Sequence, residues 1–262
     1  PISNPAEIFD NNINIPVIGV VPQVKEISFK EDDIRLNTSI ESLIVNITSI
    51  MNDQNNKKII TITSPSPFNG KSTLSKKISE GFAKIGKKVL LLDNDLKRGK
   101  LAKSYNVKSI SKKTFDSIDE STIENFNLAE DFYLIPRIKD LTNSFQFLYS
   151  ESYKEKINFL KNYFDYIIVD TGPILSVSDS SILIEQSDLN ILVVRHGINR
   201  INEIKQVIDN FKQINQKIDG IIYNGYEKPK SYYGYYGVYG NYSYQYYAEK
   251  YLDNTYEYET KD

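Results

Sequence analysis

Apolar residues along this chain fall into two alternating periods. Ile59-Ile60-Thr61-Ile62-Thr63, Val89–Leu92, Phe132–Ile135, Tyr166–Val169, Leu189–Val194 and Ile218–Tyr223 are short, nearly continuous runs. Runs of that length predict strands buried on both faces. Between them the spacing changes to i, i+3, i+4. Ile40, Leu43, Ile44, Ile47, Ile50 and Met51 form one apolar face of a helix that Thr38 or Ser39 would cap. Leu74, Ile78, Phe82 and Ile85 repeat the pattern across 72–85, with Gly86 as the stop. Ile201, Ile204, Ile208 and Phe211 do the same within 200–214. Further helices are expected over 151–164 and 180–185. The run from Ile15 to Pro22 is bounded by prolines and reads as a short strand or extended segment. Residues 23–37 read as polar loop, and 96–130 carry no clear period.

Strand, loop and helix in alternation predict an α/β fold: a doubly wound, mostly parallel sheet with helices on both faces. Three parts follow: a lead-in over 1–37, the α/β domain over 38–226, and a tail over 227–262. Ligands of such sheets sit beyond the carboxyl ends of the strands, so chemistry is sought in the residues just after each strand.

The chain has 262 residues, ample for a sizeable core. With 40% hydrophobic and 25% charged residues it has the composition of a globular protein. Its net charge of −2 argues against a general nucleic-acid binder. No cysteine is present, which excludes disulfides, thiolate metal sites and cysteine nucleophiles. The single histidine, His196, excludes a His-rich metal site. No run approaches the length of a membrane span, and the polar start is not a signal peptide. Because the first residue is Pro rather than Met, the chain is expected to be a piece of something longer. Tyrosine is the anomaly: 20 in all, of which 14 fall between Tyr223 and Tyr258. Interleaved Gly and Ser give this stretch the look of a flexible, low-complexity tail.

The loop after the first long strand reads Pro65-Ser66-Pro67-Phe68-Asn69-Gly70-Lys71-Ser72-Thr73. Gly-Lys-Ser between strand and helix is the core of a phosphate-binding loop. Its amides would cradle phosphates at a helix N-terminus, with Lys71 on the β- and γ-phosphates and the Ser72 hydroxyl on Mg²⁺. Pro65 stands where that pattern normally begins with glycine. Asp93 and Asp95 follow the second strand, and a pair so spaced can share a metal or divide base and metal roles. A solvated turn is the plain alternative. Asp170 ends the strand of 166–169 and is a candidate for holding Mg²⁺ directly or through water. Arg195 lies at a strand end, where it either meets a ligand or makes an ordinary salt bridge. Asn224 ends the last strand, placed to meet a nucleotide base or to make a turn.

In its ordered motifs the sequence resembles the bacterial tyrosine kinases of capsular and exopolysaccharide biosynthesis. The motifs are Ile-Pro-Val-Ile-Gly-Val-Val-Pro at 15–22, Ser-Pro-Phe-Asn-Gly-Lys-Ser-Thr at 66–73, Leu-Leu-Leu-Asp-Asn-Asp-Leu-Lys-Arg-Gly at 90–99 and Asp-Tyr-Ile-Ile-Val-Asp-Thr-Gly-Pro at 165–173, followed by the tyrosine cluster. The resemblance implies a P-loop kinase using ATP, yielding ADP and requiring Mg²⁺. It implies that residues 66–73 hold the nucleotide, with Arg195 and Asn224 beside them. It gives Lys71, Asp93 and Asp95 catalytic roles, and Ser72, Asp93 and Asp170 the metal. The acceptors would be Tyr232, Tyr233, Tyr235, Tyr236, Tyr239, Tyr242, Tyr244, Tyr246, Tyr247, Tyr251, Tyr256 and Tyr258, phosphorylated in the tail of a neighbouring subunit.

The resemblance further implies a homo-oligomer, a ring being one form, and a transmembrane activator in cis or in trans. A partner tyrosine phosphatase, and a place at the cytoplasmic face of the plasma membrane, belong to the same expectation. No nucleic-acid partner is expected. The chain departs from the family at Phe68-Asn69, where a glycine-rich pair is usual, and at Lys97, where Arg is usual. It departs also in the helix where Glu41 is followed by Ile44 and Ile47 rather than by two arginines. Alternative readings are a ParA- or MinD-like partitioning ATPase, whose early P-loop lysine is missing here, and a nucleotide-binding pseudo-kinase.

Overall fold

The computed structural model describes residues 1–23, 34–52 and 58–227. In chain order the elements are α1 (Ala6–Asp10), β1 (Val17–Pro22), α2 (Ile34–Asn52), β2 (Ile59–Thr63), α3 (Lys71–Lys84), β3 (Val89–Asn94), α4 (Leu101–Ser104), β4 (Ile110–Ser111) and α5 (Lys112–Asp116). They continue as β5 (Asn127–Ala129), β6 (Phe132–Ile135), β7 (Ile138–Lys139), α6 (Ser144–Leu148), α7 (Glu151–Tyr163), β8 (Tyr166–Thr171), α8 (Asp179–Glu185), β9 (Leu189–Arg195), α9 (Ile201–Gln213) and β10 (Gly220–Tyr226). Eight strands form one sheet in the order β1-β10-β9-β2-β8-β3-β6-β5. Every neighbouring pair is parallel except β5 with β6, and β4 and β7 make a separate two-stranded ribbon.

The apolar runs become the central strands because both of their faces are covered. Leu91, Ile62, Ile168 and Val193 pack under α2 and α3, whereas Leu90, Leu92, Ile167 and Val169 pack under α7 and α8. The uncertain stretch of 96–130 resolves into α4, β4, α5, a 3₁₀ turn and β5, pieces too short to show a period.

The lead-in is built into the sheet. β1 pairs in parallel with β10, and Ile2, Ile8 and Ile13 are buried against α9 and the outer strands. Helix α2 begins at Ile34, four residues before the expected cap, and Leu36 packs on the core. Ile44 and Ile47, the positions where the family usually carries two arginines, are buried under the sheet. They are therefore core residues and offer no surface to another copy. The close fit of this layer shows at Gly19, where a Cβ would come 2.3 Å from Leu43 Cδ2, and at Gly81, where one would come 2.3 Å from Ile44 Cδ1.

Because Ile47 is fully enclosed, Ile47→Ala should cost about 2–5 kcal/mol of unfolding free energy. Val45 lies on the same helix but is 67% exposed, so Val45→Ala should shift stability by no more than about 0.5 kcal/mol. Urea unfolding of both variants checks this; equal costs would mean that the face of α2 is wrongly assigned.

Candidate nucleotide and metal site

Parallel strands deliver their carboxyl ends to one edge of the sheet. β2 lies at the centre of that edge, with β9 on one side and β8 then β3 on the other. The loop after β2 therefore emerges between Arg195 at the end of β9 and Asp170 in β8.

The loop is held from beneath by amides. Asn69 is completely buried: its Nδ2 donates to the carbonyl of Val193 at 3.3 Å and to Asn199 Oδ1, and its Oδ1 accepts from Ser66 Oγ at 3.2 Å. Asn199 Nδ2 donates to Ser66 Oγ at 3.1 Å, and its Oδ1 also accepts from the Arg195 amide at 2.7 Å. Asn224 Nδ2 donates to the Asn69 carbonyl at 2.8 Å. The side chains of Asn69 and Asn224 thus hold the loop's shape. Asn199 was not foreseen: it lies four residues past a strand end with no motif around it.

Two residues of the loop are left-handed, Gly70 at φ 88° and Phe68 at φ 66°. At Gly70 a side chain has no room, since a Cβ would come 2.2 Å from Asn224 Nδ2 and 3.5 Å from an Arg195 Nη atom. Phe68 has no such excuse, and a bulky residue there carries backbone strain of order 1–3 kcal/mol. Its ring is 72% exposed and lies 5.0 Å from Lys100 Nζ and 5.9 Å from the Arg98 guanidinium. Pro67 and Ser66 are half-buried, and Thr73 is exposed on the first turn of α3. Among the described residues Arg195 makes no salt bridge; its Nη2 donates to Gln23 Oε1 at 2.8 Å.

Next to the loop stand the carboxylates. Asp93 and Asp170 are register partners on adjacent strands, and both are buried. Neither oxygen of Asp93, nor Asp170 Oδ2, has a hydrogen-bond partner of normal geometry among the described residues. Asp170 Oδ1 accepts from Ser75 Oγ at 3.1 Å. Burial, then the charges of Asp170 and Asp95, push Asp93 up to about 8, softened by the nearby Leu101 and Asp95 amides. Burial also raises Asp170, against the lowering pull of the Ser72 hydroxyl, Lys71 and Ser75. Lys71 is buried as well. Desolvation lowers its ammonium below the usual lysine range, Asp170 and Asp95 draw it back up, and Lys100 and Arg98 push it down. Asp95 is half-buried and opens a turn, its Oδ1 accepting from the Arg98 amide at 3.0 Å.

This donor set fits Mg²⁺. The ion is commonly held by one or two carboxylates together with substrate phosphates and water, and two buried carboxylates with three of their four oxygens unpartnered among the described residues, beside the half-buried Ser72 hydroxyl, have that chemistry. Among the described residues no cluster of three or more acidic or histidine side chains forms a cage that would hold a metal by itself. The structure thus brings together Ser66, Pro67, Phe68, Asn69, Gly70, Lys71, Ser72, Asp93, Asp95, Asp170, Arg195 and Asn224. The twelve tyrosines from Tyr232 to Tyr258 lie outside the described residues.

A family model described as an AAA domain matches residues 57–222. The tyrosine-protein kinase ptk of Acinetobacter johnsonii is 29% identical over 223 residues, covering 84% of this chain and 29% of that protein. The tyrosine-protein kinase CpsD of Streptococcus pneumoniae is 30% identical over 197 residues, 71% of this chain and 84% of the relative. The kinase domain of Escherichia coli tyrosine kinase ETK superposes with a TM-score of 0.76 at 21% identity, covering 91% of this chain and all of that one, and so shares the fold. The chain therefore spans under a third of the length of the Acinetobacter protein.

In metal-free buffer Asp93 should make stability fall as pH rises. The folded chain holds the Asp93 proton up to about 8, whereas the unfolded chain releases it near 4. The contribution is whole below the unfolded value and lost through the folded one. Asp93→Asn removes this decline, so the difference in urea midpoint between variant and wild type should grow from pH 5 to pH 9 with EDTA present. A constant difference would refute the assignment.

Proposed function

Because this chain belongs to the bacterial tyrosine-kinase family and shares its AAA domain, we propose that it transfers the γ-phosphoryl group of ATP to tyrosines of its own carboxyl-terminal segment. One observation carries the reading: a buried lysine and two buried carboxylates, three of whose four oxygens have no hydrogen-bond partner among the described residues, converge on a phosphate-binding loop in a chain with twelve tyrosines from Tyr232 to Tyr258.

In this reading the amides at the start of α3 and the Lys71 ammonium bind the β- and γ-phosphates and offset charge on the group in transfer. Ser72, Asp93 and Asp170 hold Mg²⁺, which when bound neutralises phosphate charge. Asp93 is too enclosed to meet an incoming phenol, so the half-buried Asp95 takes the acceptor's proton. The tyrosine Oη forms its bond to the γ-phosphorus as the bond from that phosphorus to the bridging oxygen of ADP breaks. The exposed Phe68 ring offers an aromatic face on the same loop. Asn224 fixes the loop from the β10 side, and the Arg195 guanidinium lies beside Gly70 on the β9 side.

The finer expectations belong to the same proposal. Transfer runs in trans, between subunits of a homo-oligomer. A membrane-bound activator, in cis or in trans, brings the chain to the cytoplasmic face of the plasma membrane, and a tyrosine phosphatase reverses the reaction. Among the described residues no helix is long and apolar enough to cross a membrane, so that attachment would come from elsewhere. Each phosphate adds about −1.5 to −2 of charge. On a chain of net −2, repulsion between phosphorylated segments would loosen the assembly and thereby regulate capsule or exopolysaccharide polymerisation and export.

Intact mass after incubation with Mg-ATP should show successive phosphoryl additions mapping to 232–258 and reversed by a tyrosine phosphatase. Lys71→Met should lower their rate by about a hundredfold or more. An unmodified mass despite measurable ATP binding, with an activator segment supplied, would defeat the proposal.

A further inference from the structure

The turn opened by Asp95 and the loop after β2 share a small exposed surface. Arg98 and Lys100 follow Asp95 on that turn, and both are exposed. The Arg98 amide donates to Asp95 Oδ1 at 3.0 Å and the Gly99 amide to the Asp95 carbonyl at 2.8 Å. The two cations are thus carried by the same turn as the carboxylate. Lys100 Nζ and the Arg98 guanidinium lie 5.0 Å and 5.9 Å from the centre of the Phe68 ring, within cation–π range. Among the described residues neither cation forms a salt bridge. Phe68 itself is left-handed and its ring is exposed, so burial does little to offset its strain. Strain of this kind, beside a catalytic turn, points to a contact with something that arrives.

That visitor must suit an aromatic face flanked by two positive charges. A simple polyanion would use the cations and leave the ring wet. An uncharged tyrosine segment would use the ring and leave the cations idle. An acid-flanked tyrosine uses both. The carboxyl-terminal sequence holds tyrosines of two kinds. Ser231 to Tyr247 has nine tyrosines and no charged residue. Tyr251 to Glu259 has Tyr251, Tyr256 and Tyr258 among Asp253, Glu257 and Glu259, with no cation. A segment with three carboxylates is repelled by the phosphates of a bound nucleotide, and cations beside its point of approach offset that repulsion. We propose that Phe68, Arg98 and Lys100 form a docking surface for residues 251–259 of a second copy of this chain, selecting its acid-flanked tyrosines over those of the uncharged stretch. The inference deepens the kinase reading and rests on it: docking here sets a phenol beside the Asp95 turn, so Tyr251, Tyr256 and Tyr258 are modified first.

The test is fluorescence anisotropy on the full chain, treated with a tyrosine phosphatase that is then removed, without nucleotide. One probe is a synthetic peptide of residues 249–262. The other is the same peptide with Asp253→Asn, Glu257→Gln and Glu259→Gln. The native peptide should bind about tenfold or more tightly, the scale of one charge-assisted hydrogen bond. Arg98→Gln/Lys100→Gln, at two exposed positions, should abolish that preference. Phe68→Gly, which relieves the left-handed strain, should weaken both peptides alike. Equal affinity for the two peptides, a preference that survives the double variant, or undiminished binding by Phe68→Gly would each overturn the proposal. With Mg-ATP, peptide mapping over time should find Tyr251, Tyr256 and Tyr258 modified before Tyr232–Tyr247, and the reverse order would overturn it too. The binding arm needs no transfer, so a chain that phosphorylates nothing would sink the kinase reading while the peptide result stands.

Discussion

Asp93 and Asp170 face each other across two adjacent parallel strands, cut off from water, with Lys71 as the buried positive charge beside them. Like charges in such surroundings repel, and burial alone already disfavours them. A sheet would not retain this pair for stability. It persists because the strands around it are enclosed on both faces by well-packed helices. The surplus cohesion of that core holds polar groups where an arriving cation and phosphate would satisfy them.

Parallel topology is what makes the arrangement possible. With β2 central, one loop meets side chains from β9 and β10 on one flank and from β8 and β3 on the other. The loop itself is shaped less by glycine than by amides. Asn69 is buried at the point where Val193, Asn199 and Ser66 converge, and Asn224 grips its carbonyl. This lattice explains how Phe68, a poor residue for a left-handed conformation, is kept there.

Much of this was legible in the chain. The runs at 59–63, 89–92 and 132–135 identify strands because only a doubly covered strand tolerates uninterrupted apolar residues. Lys71, Ser72, Asp93 and Asp170 are legible because each follows or ends such a strand. Other parts were not. Asn199 sits in a loop without a motif, and its role arises from partners far away in sequence. Ile44 and Ile47 read as departures from a family pattern, and their own spacing placed them on the apolar face that the structure buries. Residues 23–37 read as loop although Ile34 to Asn37 already belong to α2, since one turn of helix shows no period.

The sequence by itself determined the alternation of strand and helix, the phosphate-binding loop and the acidic strand ends. These are written in local spacing, which physics reads within a dozen residues. Only the tertiary structure decided which strands are neighbours. With that it decided that Asp93 meets Asp170, that Asn224 grips the loop after β2, and that β1 closes one edge of the sheet. Each depends on bringing together residues tens of positions apart or more, and no local pattern encodes the charge, burial or hydrogen bonding that results.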